Sequence, residues 1–534
     1  MAQGFDYVIV GGGSAGCVMA ARLSEDPTCR VCLIEAGGRD SHPFIHIPVG
    51  FAKMTTGPLT WGLTTVPQRH ANNREIPYAQ ARVLGGGSSI NAEIFTRGHP
   101  SDYDRWAEDE GATGWAFNDI SRYFLRSEGN SILSGEWHGT DGPLGVSNVP
   151  EPNALSRAFV QSCQELGMPY NPDFNGARQE GAGIYQLTTR NNRRCSAAVA
   201  YLRPALTRPN LTLVTGALVR RIVIENGRAT GVEYSLGKTI ITAAASSEVL
   251  VTSGAIGSPK LLMLSGIGPS AHLNAVGVPV VHHLPGVGQN LNDHFGIDIV
   301  AELHGHGSLD KYNKPHWMLW AGLQYALFNS GPVTSNVVEG GAFFHADRKR
   351  SDMPPDLQFH FLCGAGAEAG VPSVPVGSSG ITLNSYTVRP KSRGSVTLRS
   401  ADPSDKPLVD PNFLAEPDDL RVSVEGVRIS RDIFNQPSLN KYIKAIRFPD
   451  DSVKTKADFE AYARQYGRTS YHPTCTCKMG TDDMAVVDPQ LRVYGIEALR
   501  VCDSSIMPSL VGSNTNAPTI MIGEKASDLV RGNR

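Results

Sequence analysis

The chain of 534 residues lacks an excess of charge of either sign, with 49 Lys and Arg against 51 Asp and Glu and a net charge of -2. Nucleic-acid-binding proteins normally present a basic face or tail, so this balance argues against a nucleic-acid partner. No internal repeat or low-complexity tract appears, and 41% of the residues are hydrophobic. These features are typical of a globular protein, and at ~100–200 residues per domain the length predicts roughly two to four domains.

Cysteine is sparse and long hydrophobic runs are missing. Nine cysteines in 534 residues fall far short of a disulfide scaffold and favour a reducing compartment. The longest apolar stretch, from Trp317 to Phe328, is shorter than the ~20 residues of a membrane-spanning helix. We expect a buried core helix there, with peripheral membrane association as the alternative. No signal peptide precedes Phe5, which favours a cytoplasmic location.

The N-terminus carries a nucleotide-binding pattern. The β-branched run Phe5–Val10 predicts a parallel strand covered on both faces, and it leads directly into the glycine-rich segment Gly11–Gly16. Helical apolar spacing follows over Cys17–Leu23, and a second predicted strand, Arg30–Ile34, precedes Glu35. Strand, glycines, helix, second strand and acid in this order predict a βαβ unit that binds a dinucleotide.

Each residue of this pattern has an expected role. Gly11 permits the tight turn, Gly13 lets the backbone approach a pyrophosphate, and Gly16 allows close packing of helix on strand. The helix N-terminus offers free N–H groups to the phosphates. Glu35 is placed to accept hydrogen bonds from the adenosine ribose, and its charge would repel a 2′-phosphate. The pattern alone does not separate FAD from NAD.

Two more glycine clusters follow. Arg82–Asn91 contains three successive glycines, which either approach a flat ligand closely or form a flexible hinge. Thr252–Pro259 follows an apolar run and leads into the helical pattern Lys260–Gly268.

Four motifs in this order resemble those of the glucose–methanol–choline (GMC) oxidoreductases. They are the N-terminal pattern, Ala81–Asp104, Gly254–Gly268, and a C-terminal block that includes Leu499–Ser505 and Asn516–Thr519. The resemblance covers essentially the whole chain and is strongest to bacterial choline-dehydrogenase-like, aliphatic alcohol and polyethylene glycol dehydrogenases.

The resemblance implies an α/β fold (α+β overall) with two parts. A discontinuous Rossmann-type FAD-binding domain would comprise residues 1–152, 203–307 and 469–534. A substrate-binding cap domain with an antiparallel sheet would comprise residues 153–202 and 308–468. Within the cap, Glu339 could meet a cationic head group, but a paired or exposed acid is the favoured interpretation.

The resemblance also implies FAD as the cofactor. The residues expected to bind it are Gly11, Gly13, Ser14, Ala15, Gly16, Glu35, Ala36, Trp61, Leu84, Gly87, Asn91, Ala92, Ile94, Val219, Asp503, Pro518 and Thr519. Family members with a histidyl-linked flavin carry His immediately before the motif's Asn, where this chain has Ile90. An alkyl side chain cannot form that bond, so we expect non-covalent FAD.

His472 is the candidate catalytic residue. With Cys475 and Cys477 it supplies only three ligands in one run, so we expect no metal site there. A loop histidine without function is the second interpretation. The resemblance favours a third, in which His472 lies over the flavin as the catalytic base, paired with Asn516. The unperturbed pKa of an imidazole is near neutral, which suits removal of a hydroxyl proton, and an amide can donate a hydrogen bond to the substrate oxygen.

The expected reaction is oxidation of a primary alcohol, aliphatic or polyether, to the aldehyde. Electrons would pass from the flavin to a quinone, a cytochrome or oxygen. The alternatives are an alcohol oxidase that produces hydrogen peroxide, a choline dehydrogenase, and a non-redox lyase that retains FAD. Cys29 and Cys32 have the spacing of a redox motif, but packing explains their position in the nucleotide fold better.

Overall fold

The computed structural model describes residues 3–305, 307–347, 349, 353–366, 368 and 370–532. The α-helices of this described part are α1 (Ser14–Leu23), α2 (Pro100–Glu108), α3 (Phe117–Ser127), α4 (Ala154–Glu165), α5 (Arg203–Ala205), α6 (Gly254–Leu264), α7 (Ser270–Ala275), α8 (Pro315–Phe328), α9 (Pro417–Phe434), α10 (Pro437–Asn440), α11 (Lys456–Tyr466) and α12 (Asn516–Arg531).

A seven-stranded sheet, called the first sheet, contains the N-terminal βαβ unit. Its strands in spatial order are Leu211–Thr215, Val31–Glu35, Gln3–Val10, Thr239–Val251, Arg228–Leu236 and Ala217–Glu225, with Leu499–Val501 also beside Thr239–Val251. The strands nearest Gln3–Val10 run parallel to it, and α1 and α12 pack together with this sheet in one apolar core. Val31–Glu35 is buried throughout, which explains the unbroken apolar run Val31–Ile34 before Glu35.

A second seven-stranded sheet is antiparallel. Its strands in spatial order are Ile443–Phe448, Phe295–Leu303, Gly380–Thr387, Leu357–Leu362, Val338–Phe344 and Gly181–Ile184, with Arg468–Thr469 also beside Phe295–Leu303. The helices α4 and α9 contact this sheet. All nine residues of Phe295–Leu303 are buried between neighbouring strands and helices. That strand lies in the second sheet, although its residues fall within the segment 203–307 expected for the FAD-binding domain.

Shorter strands complete the described elements. They are Leu63–Thr64 with Pro77–Tyr78, Glu128–Asn130 with Leu144–Asn148 and Gln186–Leu187, Thr189–Arg190 with Arg193–Arg194, Ile267–Gly268 with His282–His283, and Ser395–Thr397 with Leu408–Asp410. The expected fold class, a Rossmann-type unit combined with an antiparallel-sheet unit, is confirmed.

The apolar stretch from Trp317 to Phe328 forms α8, but the expectation of a buried core helix is wrong. Ala321 is its only buried residue, whereas Trp317, Leu319, Trp320 and Phe328 are exposed. Periodicity could not reveal this, because a helix that is apolar on every side has the same pattern in a core and on a surface. Across the described residues, no helix is both long and apolar enough to cross a bilayer.

Candidate active site

A cavity of about 380 Å³ lies where the two sheets meet. The first sheet contributes Val10, Glu35 and the turn after Val251, all at the carboxyl ends of parallel strands, which is where ligands bind in such sheets. The second sheet contributes His360 and Tyr386. His472 and the loop before α12 complete the lining.

Glycine is required in the first glycine turn at two positions by close packing, and at a third it leaves space in the cavity. A Cβ at Gly16 would lie 1.9 Å from the carbonyl oxygen of Gly11, and a Cβ at Gly11 would lie 2.6 Å from the carbonyl oxygen of Thr252. Gly11 also has a positive φ of 106°. At Gly13 the nearest atom would be 3.8 Å away, so this glycine leaves room at the cavity.

Glu35 binds backbone N–H groups of the first glycine turn and of the segment that follows Glu35 itself. One carboxylate oxygen accepts a hydrogen bond from the N–H of Gly12 at 2.7 Å, and the other accepts from the N–H of Gly37 at 2.6 Å. Burial raises the pKa of this carboxyl. Glu35 therefore shapes the glycine turn and also faces the cavity, where each oxygen keeps a further lone pair for a ligand hydroxyl.

The second glycine cluster packs against the first. The N–H of Gly85 donates to the carbonyl of Gly12 at 2.7 Å, and a Cβ at Gly86 would lie 2.7 Å from the Cα of Gly13. In the described part of the chain, no atom lies within 4 Å of where a Cβ of Gly87 would be. This contact favours a close approach to a ligand over a free hinge, because the loop is held against the glycine turn.

Most of the residues expected at the cofactor line this cavity. They are Gly11, Gly13, Ser14, Ala15, Glu35, Ala36, Trp61, Gly87, Asn91, Ala92, Ile94, Val219, Asp503 and Thr519. Gly16, Leu84 and Pro518 are buried behind the lining. Leu84 belongs to the core under Gly12, and Pro518 lies on the buried side of α12.

His472 contacts a second histidine, His294, which no motif in the sequence singles out. The Nδ1 atoms of His294 and His472 are 3.0 Å apart, and the Nε2 of His294 lies 3.2 Å from the carbonyl oxygen of Val388. That carbonyl can only accept, so His294 carries its proton on Nε2 and accepts at Nδ1. The pattern assigns the proton of neutral His472 to Nδ1 and leaves its Nε2 as a hydrogen-bond acceptor.

The amide next to His472 belongs to Asn514, which corrects the expected pairing with Asn516. Asn514 Nδ2 lies 3.3 Å from His472 Nε2, whereas Asn516 Oδ1 accepts from the Ser14 hydroxyl at 2.9 Å. The physical reason is the start of α12 at Asn516, which directs that side chain toward the glycine turn. Asn514, two residues earlier in the loop, faces His472.

Two donors orient the Asn514 amide. Its Oδ1 accepts from Gln358 Nε2 at 3.0 Å and from the Thr96 hydroxyl at 3.0 Å. With the oxygen engaged on that side, the Nδ2 donor is directed at His472 and the cavity. The segment after the second glycine cluster, the second sheet and the C-terminal loop thus all contribute to one arrangement.

A buried aspartate holds the backbone of the His472 loop. Asp293 Oδ1 accepts from the N–H of His472 at 2.9 Å, and Oδ2 accepts from the hydroxyls of Tyr78 at 2.6 Å and Thr469 at 2.5 Å. Burial raises the pKa of Asp293 to about 6. Burial also lowers the pKa of His472 to about 3, so its imidazole is neutral at physiological pH.

Glu93 is a further cavity residue that the sequence did not single out. Its carboxylate is buried and accepts no hydrogen bond among the described residues, and the Nε of Arg194 is 3.4 Å from Oε1. Burial raises the pKa of Glu93 to about 7. Its place between Ala92 and Ile94, both expected at the flavin, was the signal that could have identified it.

Several side chains with other candidate roles are structural. Glu339 accepts from the N–H of Asn153 and from the hydroxyls of Ser156 and Ser335, so it is the paired acid that we favoured. Burial raises the pKa of both Cys475 and Cys477, which keeps the thiols protonated. In the described ranges, no group of three or more His, Cys, Asp or Glu side chains could hold a metal ion.

The chain is similar to known proteins over its whole length. A family model described as GMC oxidoreductase matches residues 5–296, and a second with the same description matches residues 390–523. An alcohol dehydrogenase [acceptor] from Pseudomonas putida is 42% identical over 533 residues, covering 98% of this chain and 95% of that protein. An oxygen-dependent choline dehydrogenase from Rhizobium meliloti is 42% identical over 530 residues, covering 99% and 95%.

Solved structures show the same fold. Pyridoxine 4-oxidase from Mesorbium loti superimposes with a TM-score of 0.89 at 30% identity, covering 98% of both chains. A formate oxidase from Aspergillus oryzae, solved to examine FAD modification, gives a TM-score of 0.93 at 27% identity, covering 100% of this chain and 99% of the other.

Proposed function

The chain belongs to the GMC oxidoreductase family, and from that premise we propose that it is an FAD-dependent alcohol dehydrogenase. Its reaction is the oxidation of a primary alcohol, aliphatic or polyether, to the aldehyde. The observation that carries the proposal is the hydrogen-bond chain that leaves His472 Nε2 as a proton acceptor beside the Asn514 amide at the cavity.

The residues present fit FAD. The space left at Gly13 and Gly87 and the N-terminus of α1 suit a pyrophosphate, with Ser14 and Ala15 beside it. Glu35 and Val219 would hold the adenosine, and Asn91, Ala92 and Ile94 would hold the flavin. When bound, FAD supplies the acceptor for the hydride that leaves the alcohol carbon.

This chain's own residues supply proton transfer and orientation. His472 Nε2 accepts the hydroxyl proton of the alcohol, and the Asn514 Nδ2–H group donates to the alcohol oxygen. His294 keeps the other ring nitrogen of His472 protonated, and Asp293 fixes the loop backbone. Alkoxide character on the substrate oxygen makes departure of the hydride from the neighbouring carbon easier.

The apolar part of the cavity supports an uncharged chain on the alcohol. Phe51, Ile94, Val338 and Leu362 line the cavity and belong to one apolar cluster. Of the acids that line the cavity, Glu368 is paired with Arg468 at 2.7 Å, whereas the Glu93 carboxylate accepts no hydrogen bond among the described residues. A cationic substrate such as choline is the alternative, and its support is the choline dehydrogenase similarity.

Anaerobic stopped-flow mixing tests the reaction. We expect 1-alkanols or polyethylene glycols to bleach the bound flavin, with turnover by a quinone or dye acceptor and slow reoxidation in air-saturated buffer. Benzyl alcohol and choline complete the panel. Reduction by choline alone would contradict the substrate class, and fast reoxidation by oxygen would assign an oxidase. Absence of reduction by every alcohol would favour the non-redox alternative.

We propose that FAD is bound non-covalently in a cytoplasmic protein. Ile90 lines the cavity and offers only alkyl carbons to the flavin. Acid precipitation should therefore leave the yellow colour in the supernatant, and colour in the pellet would contradict this. All nine cysteines are buried, and nine in 534 residues are too sparse for a disulfide scaffold, which supports a reducing compartment. The electron acceptor is a quinone, a cytochrome or oxygen.

A further inference from the structure

We propose that α8 docks the protein on the surface of an anionic phospholipid bilayer. Its sequence from Pro315 to Phe328 contains no Asp, Glu, Lys or Arg. Large apolar side chains of this helix are exposed, namely Trp317, Met318, Leu319, Trp320, Leu323, Leu327 and Phe328. A helix that is hydrophobic on every side is normally covered by protein or lipid, because leaving it in water forfeits the free energy of burial.

The arrangement around the helix axis favours lipid over a second protein. Met318, Leu319 and Trp320 are 55%, 75% and 55% exposed, and successive residues point about 100° apart around the axis. Their side chains therefore cover most of the circumference. A protein partner buries one face of a helix, whereas the acyl and headgroup region of a bilayer can surround a projecting helix on several sides.

The length of α8 fits an element that lies in the interface. Fourteen residues rise about 21 Å, which is less than the ~30 Å of a bilayer's hydrocarbon core. Trp317 and Trp320 are of the type enriched at the membrane–water boundary. The helix therefore enters one leaflet without crossing it.

Charge near both ends of α8 complements an anionic surface. Lys311 and Lys314 precede the helix, and Lys311 Nζ lies 5.7 Å from the centre of the Trp317 ring. Near the other end, exposed Arg193 directly follows Asn191 and Asn192, whose carbonyls bond to Asn329 and Tyr325. Each such cation adds to the attraction between the protein and an anionic leaflet.

The C-terminal end of α8 is hydrogen-bonded to a loop that reaches the cavity. The Tyr325 hydroxyl donates to the carbonyl of Asn192 at 3.1 Å, and Asn329 Nδ2 donates to the carbonyl of Asn191 at 2.8 Å. Two residues further on, Arg194 Nη1 donates to Asn91 Oδ1 at 2.6 Å, on the cavity wall. Docking through α8 therefore holds this side of the cavity near the membrane, whichever reaction the cavity supports.

Vesicle flotation of the FAD-loaded protein tests the proposal. The matched pair is Leu319→Glu/Leu327→Glu against Ile132→Glu/Ile240→Glu, since all four side chains are more than half exposed and only the first two lie on α8. We expect the wild type and the control to float with vesicles of equal parts phosphatidylcholine and phosphatidylglycerol. The α8 variant should bind about 10-fold or more weakly, because charge disfavours interfacial insertion.

Further measurements separate the outcomes. Equal flavin content and melting temperature in the three proteins show that the substitutions act at the surface, and brominated lipid should quench tryptophan fluorescence in the wild type and the control only. Failure of the wild type to float, or equal flotation of the α8 variant, would overturn the proposal. A particle mass that falls from dimer to monomer in the α8 variant, without lipid binding by the wild type, would assign the helix to a second copy.

Discussion

The two glycine turns next to the first sheet present mainly backbone to the cavity, whereas the opposite wall presents side chains. At Gly11 a Cβ would clash with the backbone of Thr252, whereas at Gly13 and Gly87 the lack of a side chain leaves open space at the cavity. Opposite them, His472 and Asn514 depend on hydrogen bonds with residues from distant parts of the sequence. Binding on one wall and proton transfer on the other are therefore separable, and substitutions should affect one without the other.

The largest difference between the effect on catalysis and the effect on FAD binding is expected for His472→Ala. Loss of the proton acceptor should slow alcohol-dependent flavin reduction by roughly 10²–10⁴-fold, the usual contribution of general-base catalysis, while FAD is retained. Anaerobic stopped-flow absorbance measures the rate. His283→Ala, at an exposed histidine, is the control. A near-normal reduction rate in His472→Ala would place the base elsewhere.

The reciprocal substitution is Glu35→Ala. It should weaken FAD binding by about 1.5–3 kcal/mol, because hydrogen bonds to a charged group are lost, and leave the reduction rate of the FAD-loaded fraction nearly unchanged. Titration of the apoprotein with FAD measures the affinity, with the exposed Glu151→Ala as control. Unchanged affinity would remove Glu35 from the site.

A smaller contrast is expected between two asparagines. Asn514→Ala removes one neutral hydrogen bond to the substrate oxygen, worth about 0.5–1.5 kcal/mol, and should slow flavin reduction by about 3–10-fold. Asn516→Ala should change the rate less, because its amide bonds to Ser14 instead of facing His472. A larger kinetic effect at Asn516 would restore the pairing expected from the sequence.

The smallest effect concerns pH. Burial depresses the pKa of His472 to about 3, so the neutral base predominates above that pH and the reduction rate should stay flat from pH 8 to about 5. The rate should fall only as the pH falls toward the depressed pKa. If the reduction rate changes with pH near 7 and this change persists in His472→Ala, we would assign it to Glu93, because burial raises the pKa of Glu93 to about 7.

The backbone wall was predictable because its signal is local. The glycines, the helix and Glu35 lie within about one βαβ unit of sequence, and the structure places Val31–Glu35 and α1 as that pattern requires. The antiparallel sheet was expected only through resemblance, since short apolar runs do not define their neighbours in space.

The side-chain wall was not predictable in the same way. His294 becomes a partner of His472 only because Phe295–Leu303 pairs with Arg468–Thr469 at the edge of the second sheet. The two-residue difference between Asn514 and Asn516 depends on where α12 begins, and helix boundaries are the least certain part of a pattern. Exposure of α8 depends on the surrounding fold, which its own composition does not contain.

The histidine pair also determines how the substrate's proton can leave. Once Nε2 of His472 has taken it, Nδ1 of the same ring still faces His294, whose only remaining proton is directed at the carbonyl of Val388. A backbone carbonyl is not a base at these pH values, so the chain of rings ends there and carries no proton outward. The histidine pair therefore offers this proton no outward path, whereas the cavity through which the alcohol enters stays open to it.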